Sequence, residues 1–545
     1  MSIRFRPNRR LRFLLGSLSA GLLQSFLLAL PGWSAERIFA SFGPLERSIS
    51  VDTLDTYART GELTEELEVY SRYLSDEQLE QLRNGLLVSA DLDVVTVSQF
   101  LYTPQGEALL QWLGEIIQTG GRQNGARAIR GAVIKAAATP DDFNVLNILR
   151  QFPTPGIRVD LQRLLVITQA ALNEVSQTRQ TTAQIREQAE QTATEFTGDP
   201  SLSNQFSLAS EGPYRWQKQP FAPAPLPTDL YLPTGQNRPL VVISHGLGGN
   251  LATLAYLAEH LASHGFAVAV VEHPGSSASQ LAALLDGAAN EAVEPEELVN
   301  RPIAIQVLLD ELERDPTLSA RINLQNVGVM GQSLGAYTTL ALAGAAVDLN
   351  RLDESCPPQI TRLNLSLLLQ CLLPTLPQPL PPLQDNRVQA AFAINPFNSA
   401  VFGPEGLANI AVPIMIVSGS ADTVTPALTE QIRPFTWLQF PDRYLLVMEG
   451  GTHFSTIYDP DAGEDVVPLP PEVVGPTPRL AQYYTRVMSL VFFKTHLAGE
   501  SAYRQYLDSS FVALMSQSSL PISLVHELTL SEEMIEYLHS SNGLE

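Results

Sequence analysis

Short apolar runs rich in β-branched residues alternate with helix-like segments through the middle of the chain, and no other sequence feature restricts its fold as strongly. The runs are short enough to be buried strands and lie at 239–243, 266–271, 326–330, 390–394, 414–417 and 444–447. Helix-like segments lie between them, for example at 251–262 and 336–346. Strands that alternate with helices indicate an α/β fold with a doubly wound, mostly parallel sheet. Ligands of such sheets bind beyond the carboxyl ends of the strands, so a functional site is expected there.

The region before this sheet has the apolar spacing of helices over residues 38–152. Ser50 can cap a helix that ends near Gly61. Ser75, with Gln78 three residues later, matches a capping box at the start of another helix.

The domain organisation follows from these two sequence patterns, the helical spacing over 38–152 and the alternating strands and helices after it. A long amphipathic helix is predicted over 159–196, and no catalytic or cofactor motif precedes it. We therefore predict an all-α domain over 36–197 that packs on the rest of the chain, with lipid or partner binding as the alternative. A polar linker candidate at 198–212 leads to the α/β domain at 213–500. Residues 501–545 are a C-terminal extension that carries no functional signal.

The first residues have the pattern of an export signal. An uncharged apolar run at 13–30 is followed at 32–35 by mostly small residues, as at a signal-peptide cleavage site. Five arginines precede the apolar run: Arg4, Arg6, Arg9, Arg10 and Arg12. We therefore predict a signal peptide over 1–35 and an exported protein, periplasmic or extracellular. An uncleaved anchor is the alternative, because a run of this length can just span a bilayer. No second such run occurs, so no transmembrane segment is expected in the mature chain.

Charge narrows the range of partners. The net charge is −23, and Lys and Arg are not clustered. Nucleic acid is therefore excluded as a partner, because phosphate binding requires clustered cations.

The two cysteines, Cys356 and Cys371, form an isolated close pair. In an exported chain such a pair indicates one disulfide, with two buried thiols as the alternative. A metal site is not expected here, because no other Cys or clustered His accompanies them.

A nucleophile candidate follows the predicted strand at 326–330. Residues 331–335 read Gly-Gln-Ser-Leu-Gly, the G-x-S-x-G pattern, and a predicted helix follows. In this strand–turn–helix context the turn exposes the serine hydroxyl, so Ser333 is the predicted nucleophile. A structural Gly-Ser turn is the alternative.

A serine nucleophile requires a base, and that base requires an orienting acid. On this kind of sheet the chain order is serine, acid, histidine. Asp422 follows the strand at 414–417, and His453 follows the strand at 444–447. We predict them as the acid and the base. The alternatives are a helix cap before Pro426 for Asp422 and a hydrogen-bonded loop histidine for His453.

Acyl transfer also requires amide donors for the oxyanion. The first predicted donor is the N–H of Leu334, directly after the nucleophile. The second is the N–H of Leu247, in the glycine-rich sequence HGLGG that follows an early strand. A plain glycine-rich turn is the alternative for that loop.

Several motifs together resemble the plasma-type platelet-activating factor acetylhydrolase family. They are SHGLG at 244–248, LASHGF at 261–266, VEH at 271–273 and SAS at 277–279. Members of that family are α/β-hydrolases that cleave short or oxidised acyl chains from glycerophospholipids without a metal. The resemblance covers about 240–340 well and the rest of the α/β domain loosely. It implies oxyanion donors at Leu247 and Leu334 and no cofactor.

The chain departs from that family at one position. The family's acid follows the strand before the one considered above, where this chain has Asn395. Because Asn395 carries no carboxylate, Asp422 remains the predicted acid. The helical region before the sheet resembles a domain of unknown function that precedes α/β-hydrolases in cyanobacterial proteins, and this resemblance implies no activity.

Two further features border the predicted site. His245, Glu272 and His273 follow predicted strands and are candidates for a substrate pocket, with structural hydrogen bonding as the alternative. An insertion at 347–387 contains the cysteine pair and an apolar run, and we predict a lid over the site or, alternatively, a packed surface hairpin.

The sequence therefore predicts an exported serine hydrolase that cleaves carboxylic esters, with lipid or short-acyl esters as its substrates. A hydrolase of polyesters, peptides or other esters is one alternative. A non-catalytic binding protein on the same fold is the second.

Overall fold

A computed structural model describes residues 34–89, 93–139, 143–193, 196, 208–222, 225–356, 364–457 and 471–529. The chain divides into two compact units, Met1–Val166 and Ile167–Glu545. Except for its last two residues, the predicted signal peptide lies outside the described residues, as does the predicted linker up to residue 207. Within the described ranges, no helix is both long enough and apolar enough to cross a bilayer.

The first unit is mostly helical, as predicted. Its helices are Val51–Thr60, Glu65–Ser71, Asp76–Leu87, Val94–Tyr102, Pro104–Ile116, Ala126–Ala137 and Val145–Arg150. Ser50 caps the first of them, which ends at Gly61. Ser75 and Gln78 form the expected capping box. A further helix, Leu161–Thr192, runs from this unit into the second.

The prediction of an all-α first domain was too narrow, because four short strands also form a sheet there. The strands are β1 (Arg37–Phe42), β2 (Leu45–Ser50), β3 (Ile117–Thr119) and β4 (Gly156–Asp160), in the order β2-β1-β4-β3. Most of their residues are only half-buried or exposed. Such strands lack the regular apolar alternation by which a sequence indicates a sheet.

The second unit contains a nine-stranded sheet. The strands, in chain order, are β5 (Trp216–Pro220), β6 (Thr228–Pro233), β7 (Arg238–Ser244), β8 (Ala267–Val271), β9 (Ile322–Gln332), β10 (Val388–Ile394), β11 (Ile414–Gly419), β12 (Arg443–Met448) and β13 (Ile522–Val525). Their order across the sheet is β13-β12-β11-β10-β9-β7-β8-β6-β5. The six strands from β12 to β8 are parallel. At the edges β5, β6 and β13 run antiparallel to their neighbours. The predicted α/β class, with a doubly wound and mostly parallel sheet, is confirmed.

Helices and short helical turns join these strands. They are Ala255–Ser263, Pro274–Ser276, Ala278–Leu285, Glu297–Arg314, Pro316–Arg321, Leu334–Leu342, Leu349–Ser355, Leu367–Gln370, Leu373–Thr375, Gly403–Leu407, Leu428–Ile432, Arg433–Phe435, Pro471–Val474, Pro478–His496, Ser501–Tyr506 and Ser509–Met515. An apolar core lies on each face of the sheet. Leu240 and Val242 of β7 face one core, and Val241 and Ile243 face the other. This double burial explains why the central strands are continuous apolar runs.

The chain after residue 500 contributes to this sheet. The sequence indicated only an extension there, but β13 pairs with β12 along Leu445–Met448. The strand pairs at one edge only and is four residues long, which is too short for its apolar pattern to stand out.

Candidate active site

Ser333 lies in a tight turn between β9 and the helix Leu334–Leu342. Its backbone has φ 56° and ψ −117°, a conformation that residues with a side chain rarely adopt. The glycines on either side allow the close approach that this turn requires. A Cβ at Gly331 would lie 2.4 Å from the Gly335 carbonyl oxygen, and a Cβ at Gly335 would lie 2.0 Å from the Ser244 carbonyl oxygen. The structure thus gives Ser333 the strained turn that the motif implied.

Asp422 and His453 lie together after β11 and β12. The Nδ1 atom of His453 is 2.7 Å from Oδ2 of Asp422, and the Asp422 side chain is fully buried. The backbone N–H groups of Val424 and Thr425 each donate to Oδ1 of Asp422 at 2.8 Å. These donors fix the carboxylate, so the histidine ring has one preferred orientation.

Two further residues connect these groups, and the sequence reasoning missed both. Thr425 donates its hydroxyl to Oδ2 of Asp422 at 2.8 Å and lies 3.3 Å from Nδ1 of His453. Gln332 donates its side-chain amide to the backbone carbonyl of His453 at 3.1 Å. The loop of His453 therefore lies beside the turn of Ser333. Among the described residues no hydrogen bond joins the side chains of Ser333 and His453. A threonine three residues after an aspartate was a usable signal for Thr425, because that spacing allows a local hydrogen bond.

The two predicted oxyanion donors flank Ser333. Leu334 is the first residue of its helix, so its N–H has no acceptor within that helix. The loop after β7 passes alongside, since a Cβ at Gly246 would lie 3.3 Å from the Ser333 Cβ. In the part of the chain that is described, the N–H of Leu247 has no hydrogen-bond acceptor. Both amides are thus available to a ligand at Ser333.

The three candidate pocket residues do not share one environment. His245 and His273 are buried, whereas Glu272 is half-buried and donates its backbone N–H to Pro227. Nε2 of His273 lies 2.9 Å from the Ser244 hydroxyl, and the His273 N–H donates to Nε2 of His245 at 3.0 Å. These bonds support structural hydrogen bonding for the two histidines, and a pocket role stays a prediction.

Burial and a nearby cation keep both imidazoles neutral. Burial, together with the charge of Arg301, lowers the pKa of His245 to about 3. The same two causes, with His245 itself, hold the pKa of His273 well below its usual range. A neutral ring can accept a hydrogen bond at one nitrogen, as His245 does.

Asn395, at the end of β10, has a structural role in place of an acidic one. Its side-chain amide donates to the Thr452 carbonyl at 3.3 Å and accepts from the Gly419 N–H at 3.2 Å. Its backbone has φ 45°, which asparagine tolerates better than most residues. It therefore joins the loops that precede Asp422 and His453.

The described parts of the insertion are attached to the sheet domain. Cys356 and Cys371 form a disulfide, as predicted. The fully buried Glu430 carboxylate accepts hydrogen bonds from the side-chain amides of Asn364 at 2.6 Å and Gln370 at 3.0 Å. It also accepts from two backbone N–H groups in the loop after β10, at 2.7 and 2.8 Å. The lid role stays a prediction, and residues 357–363 lie outside the described ranges.

A resident metal has no evident ligand set in this site. Across the residues that are described, no group of three or more His, Cys, Asp or Glu side chains is arranged to hold a metal ion.

Two protein families match parts of the chain. Residues 34–160 match a family described as alpha/beta hydrolase of unknown function (DUF1400). Residues 223–307 match platelet-activating factor acetylhydrolase, isoform II.

Individual relatives are similar at low identity or over short segments. Cutinase 2 of Thermobifida cellulosilytica is 26% identical over 263 residues, which are 46% of this chain and 73% of that protein. Cutinase cut1 of Thermobifida fusca is 26% identical over 263 residues, covering 46% of this chain and 60% of that protein. Platelet-activating factor acetylhydrolase of Bos taurus is 46% identical over 55 residues, which are 10% of this chain and 12% of that protein. Together with the sheet, these matches show an α/β-hydrolase fold and support a carboxylic ester hydrolase.

Proposed function

We propose that this protein hydrolyses carboxylic esters through an acyl-enzyme on Ser333, with His453 as the base and Asp422 as the acid. One observation carries the proposal. The hydrogen bond of 2.7 Å between His453 and Asp422 lies in a loop that Gln332 ties to the strained turn of Ser333. Chain order, strand-end placement and geometry all agree with this assignment.

Acylation begins when Oγ of Ser333 attacks the ester carbonyl carbon and Nε2 of His453 takes the hydroxyl proton. The Asp422 carboxylate stabilises the resulting imidazolium through Nδ1–H. The carbonyl oxygen becomes an oxyanion that the N–H groups of Leu247 and Leu334 bind. When the tetrahedral intermediate collapses, the ester C–O bond breaks and His453 returns the proton to the leaving alcohol.

Deacylation repeats these steps with water as the nucleophile. His453 takes a proton from water, the hydroxide adds to the acyl carbon, and the bond to Ser333 Oγ breaks as His453 returns the proton. The lack of a direct hydrogen bond between the described side chains of Ser333 and His453 is compatible with this cycle, because such bonds are often long in free enzymes and tighten with substrate.

The substrate class we propose is a lipid ester or another short-acyl ester. The family match to platelet-activating factor acetylhydrolase, isoform II, supports it, since the matched residues 223–307 include Leu247 and the loop that carries it. The short match to the Bos taurus platelet-activating factor acetylhydrolase also supports it. The matches named cutinase support an ester, with polyesters as a competing substrate. Peptide hydrolysis and a purely binding role also compete with this proposal.

Hydrolysis of nitrophenyl esters from acetyl to palmitoyl tests the proposal. We expect turnover by the parent protein and none above background for Ser333→Ala. Ser319→Ala is the matched control, because Ser319 is exposed on the helix Pro316–Arg321 and should leave turnover unchanged. A fluorophosphonate should label the parent at Ser333 only. Equal turnover by Ser333→Ala would rule out the assignment, and no labelling of the parent would favour a binding protein.

We further propose that the protein functions after export. The arginine-rich start, the apolar run at 13–30 and the Cys356–Cys371 disulfide support this, since disulfides persist in oxidising compartments. Determining the N-terminus of the protein recovered from the periplasm or medium should give Glu36, and a retained first segment would favour the anchor alternative.

A further inference from the structure

Arg301 is a fully buried arginine outside the three proposed catalytic residues. It lies in the helix Glu297–Arg314, where its Nε is 3.3 Å from Oε2 of Glu297. Its Nη2 donates to the Ser276 hydroxyl at 2.6 Å, and that hydroxyl donates to Glu297. Burial lowers the pKa of Arg301 to about 10, which leaves the guanidinium charged at neutral pH. A buried charge of this kind is tolerated because it is paired and hydrogen-bonded.

The remaining contact of Arg301 reaches the loop after β7, residues 245–249, which carries Leu247 and which we call the oxyanion loop. Its Nη1 donates to the backbone carbonyl of His245 at 2.7 Å. That carbonyl also lies against the nucleophile turn, because a Cβ at Gly335 would approach it to 2.8 Å. Arg301 therefore holds the first residue of the loop that leads to Leu247.

The His245 side chain transmits this position to the Leu247 amide. Its Nδ1 lies 2.6 Å from the Gly246 carbonyl, and its Nε2 accepts the His273 N–H at 3.0 Å. Nδ1 must therefore carry the proton and donate to Gly246. In a trans peptide the C=O and the N–H point in opposite directions. Holding the Gly246 C=O toward the imidazole thus turns the Leu247 N–H away from the ring.

Arg301 also binds Ser276, which lies in a neighbouring loop to which the oxyanion loop is hydrogen-bonded. Ser276, its hydroxyl partner, accepts the N–H of Gly248 at its backbone carbonyl at 2.9 Å. Both sides of Leu247 are thus tied to groups that Arg301 binds. A lysine could not replace it, because a single ammonium lacks the planar fork that reaches these separate acceptors.

We propose that Arg301 is a positioning residue that holds the Leu247 N–H in the direction required by the oxyanion. This proposal rests on the proposed function, because the oxyanion forms only if Ser333 attacks the ester carbonyl carbon. Arg301 itself touches no reacting atom. Its effect is expected on the transition state, where the oxyanion forms, and much less on the binding of the ground-state ester.

Steady-state kinetics of Arg301→Lys on a short nitrophenyl ester tests the proposal. We expect kcat to fall at least about tenfold while KM changes less than about threefold, because a displaced oxyanion donor weakens the transition state alone. A trifluoromethyl ketone is the second probe. Ser333 adds to its carbonyl carbon to give a tetrahedral oxyanion, with the hydroxyl proton passing to His453. Its affinity should fall by about the same factor as kcat/KM.

Arg387→Lys is the matched control. Arg387 is half-buried and is paired with Asp385 at 2.6 Å, but it precedes β10 at the end of the sheet opposite the site. This variant should lose thermal stability without a change in kcat. If Arg301→Lys does not fold, judged by circular dichroism, Arg301→Gln replaces it, since its amide can still donate one hydrogen bond.

The outcomes separate this proposal from the proposed function. A folded Arg301 variant with kcat within about twofold of the parent, or one that loses kcat but retains affinity for the ketone, overturns the positioning role alone. Turnover by Ser333→Ala overturns the proposed function. Parallel losses of kcat/KM and ketone affinity, with Ser333→Ala inactive, support both.

Discussion

At the scale of single residues, the Asp422 carboxylate is the most completely held group of the site. Two backbone N–H groups, the Thr425 hydroxyl and the His453 ring all surround it. An aspartate so fixed determines which imidazole nitrogen carries the proton. In the proposed mechanism, Nε2 of His453 is then free to accept the proton of Ser333.

Asp422→Asn should therefore lower kcat by roughly 10³- to 10⁴-fold at neutral pH with little change in KM, because the amide favours the wrong imidazole tautomer. Asp286→Asn is the control, since Asp286 is exposed. Nitrophenyl ester kinetics at pH 7 measures both. A loss smaller than about tenfold in Asp422→Asn would show that the acid lies elsewhere.

Asn395 provides a second test at the same scale. In Asn395→Asp the donor to the Thr452 carbonyl is replaced by a carboxylate oxygen, which repels that carbonyl in a buried position. We expect the free energy of unfolding to fall by about 1–3 kcal/mol, the cost of an unsatisfied buried group. Urea denaturation measures it, with the exposed Asn350→Asp as control. An unchanged free energy would mean that the amide does not join the two loops.

At the scale of elements, the central strands could be predicted and the peripheral strands could not. The strands from β7 to β12 lie between two cores, so each is an apolar run bounded by loops. In β5 the sequence WQKQP is almost fully exposed and carries no such signal. The strands β1 to β4 are short and mixed in polarity, and β4 pairs with β1 and β3, which lie far from it in sequence.

Glu430 is a second feature at the scale of elements that the sequence does not reveal. Its carboxylate joins the insertion to the loop after β10, and nothing in the local sequence indicates that it is buried. Glu430→Gln places an NH₂ group against several donors. Because hydrogen bonds to a charged group contribute about 1.5–3 kcal/mol each, we expect a loss of about 2–4 kcal/mol in the free energy of unfolding.

Thermal or urea unfolding of Glu430→Gln measures this loss, with Glu405→Gln as the control because Glu405 is exposed. If both variants unfold at the same urea concentration, the insertion is not held by this carboxylate. A loss of stability confined to Glu430→Gln would support the view that this carboxylate attaches the second half of the insertion to the sheet domain.

At the scale of the whole molecule, the positions of the proposed reacting groups could be predicted from the sequence, whereas the residues that support them could not. Ser333, Asp422 and His453 stand directly after apolar strands, so strand order alone brought them to one edge of the sheet. Arg301 and Glu297 read in sequence as an ordinary i,i+4 surface pair of a helix. Only tertiary packing reveals that this pair is buried beneath the oxyanion loop.

The buried histidines give the second unit a pH dependence of stability. His260 is almost fully buried, and burial, with the nearby His264, lowers its pKa from 6.5 to about 3. Burial also lowers the pKa of His245 to about 3. Between pH 6.5 and 3 the unfolded chain therefore binds protons at these sites that the folded chain does not. The free energy of unfolding must then decrease as the pH falls through this window.

His260→Gln should make this decrease shallower. Removing one histidine with a depressed pKa lowers the slope by at most about 1.4 kcal/mol per pH unit. Measurement between pH 6 and 5 by urea denaturation keeps most carboxylates ionised in both states, and Ser319→Ala is the control with an unchanged slope. Equal slopes for His260→Gln and the parent would show that His260 is protonated in the folded protein. A shallower slope for His260→Gln would instead assign part of the acid sensitivity to the helix Ala255–Ser263.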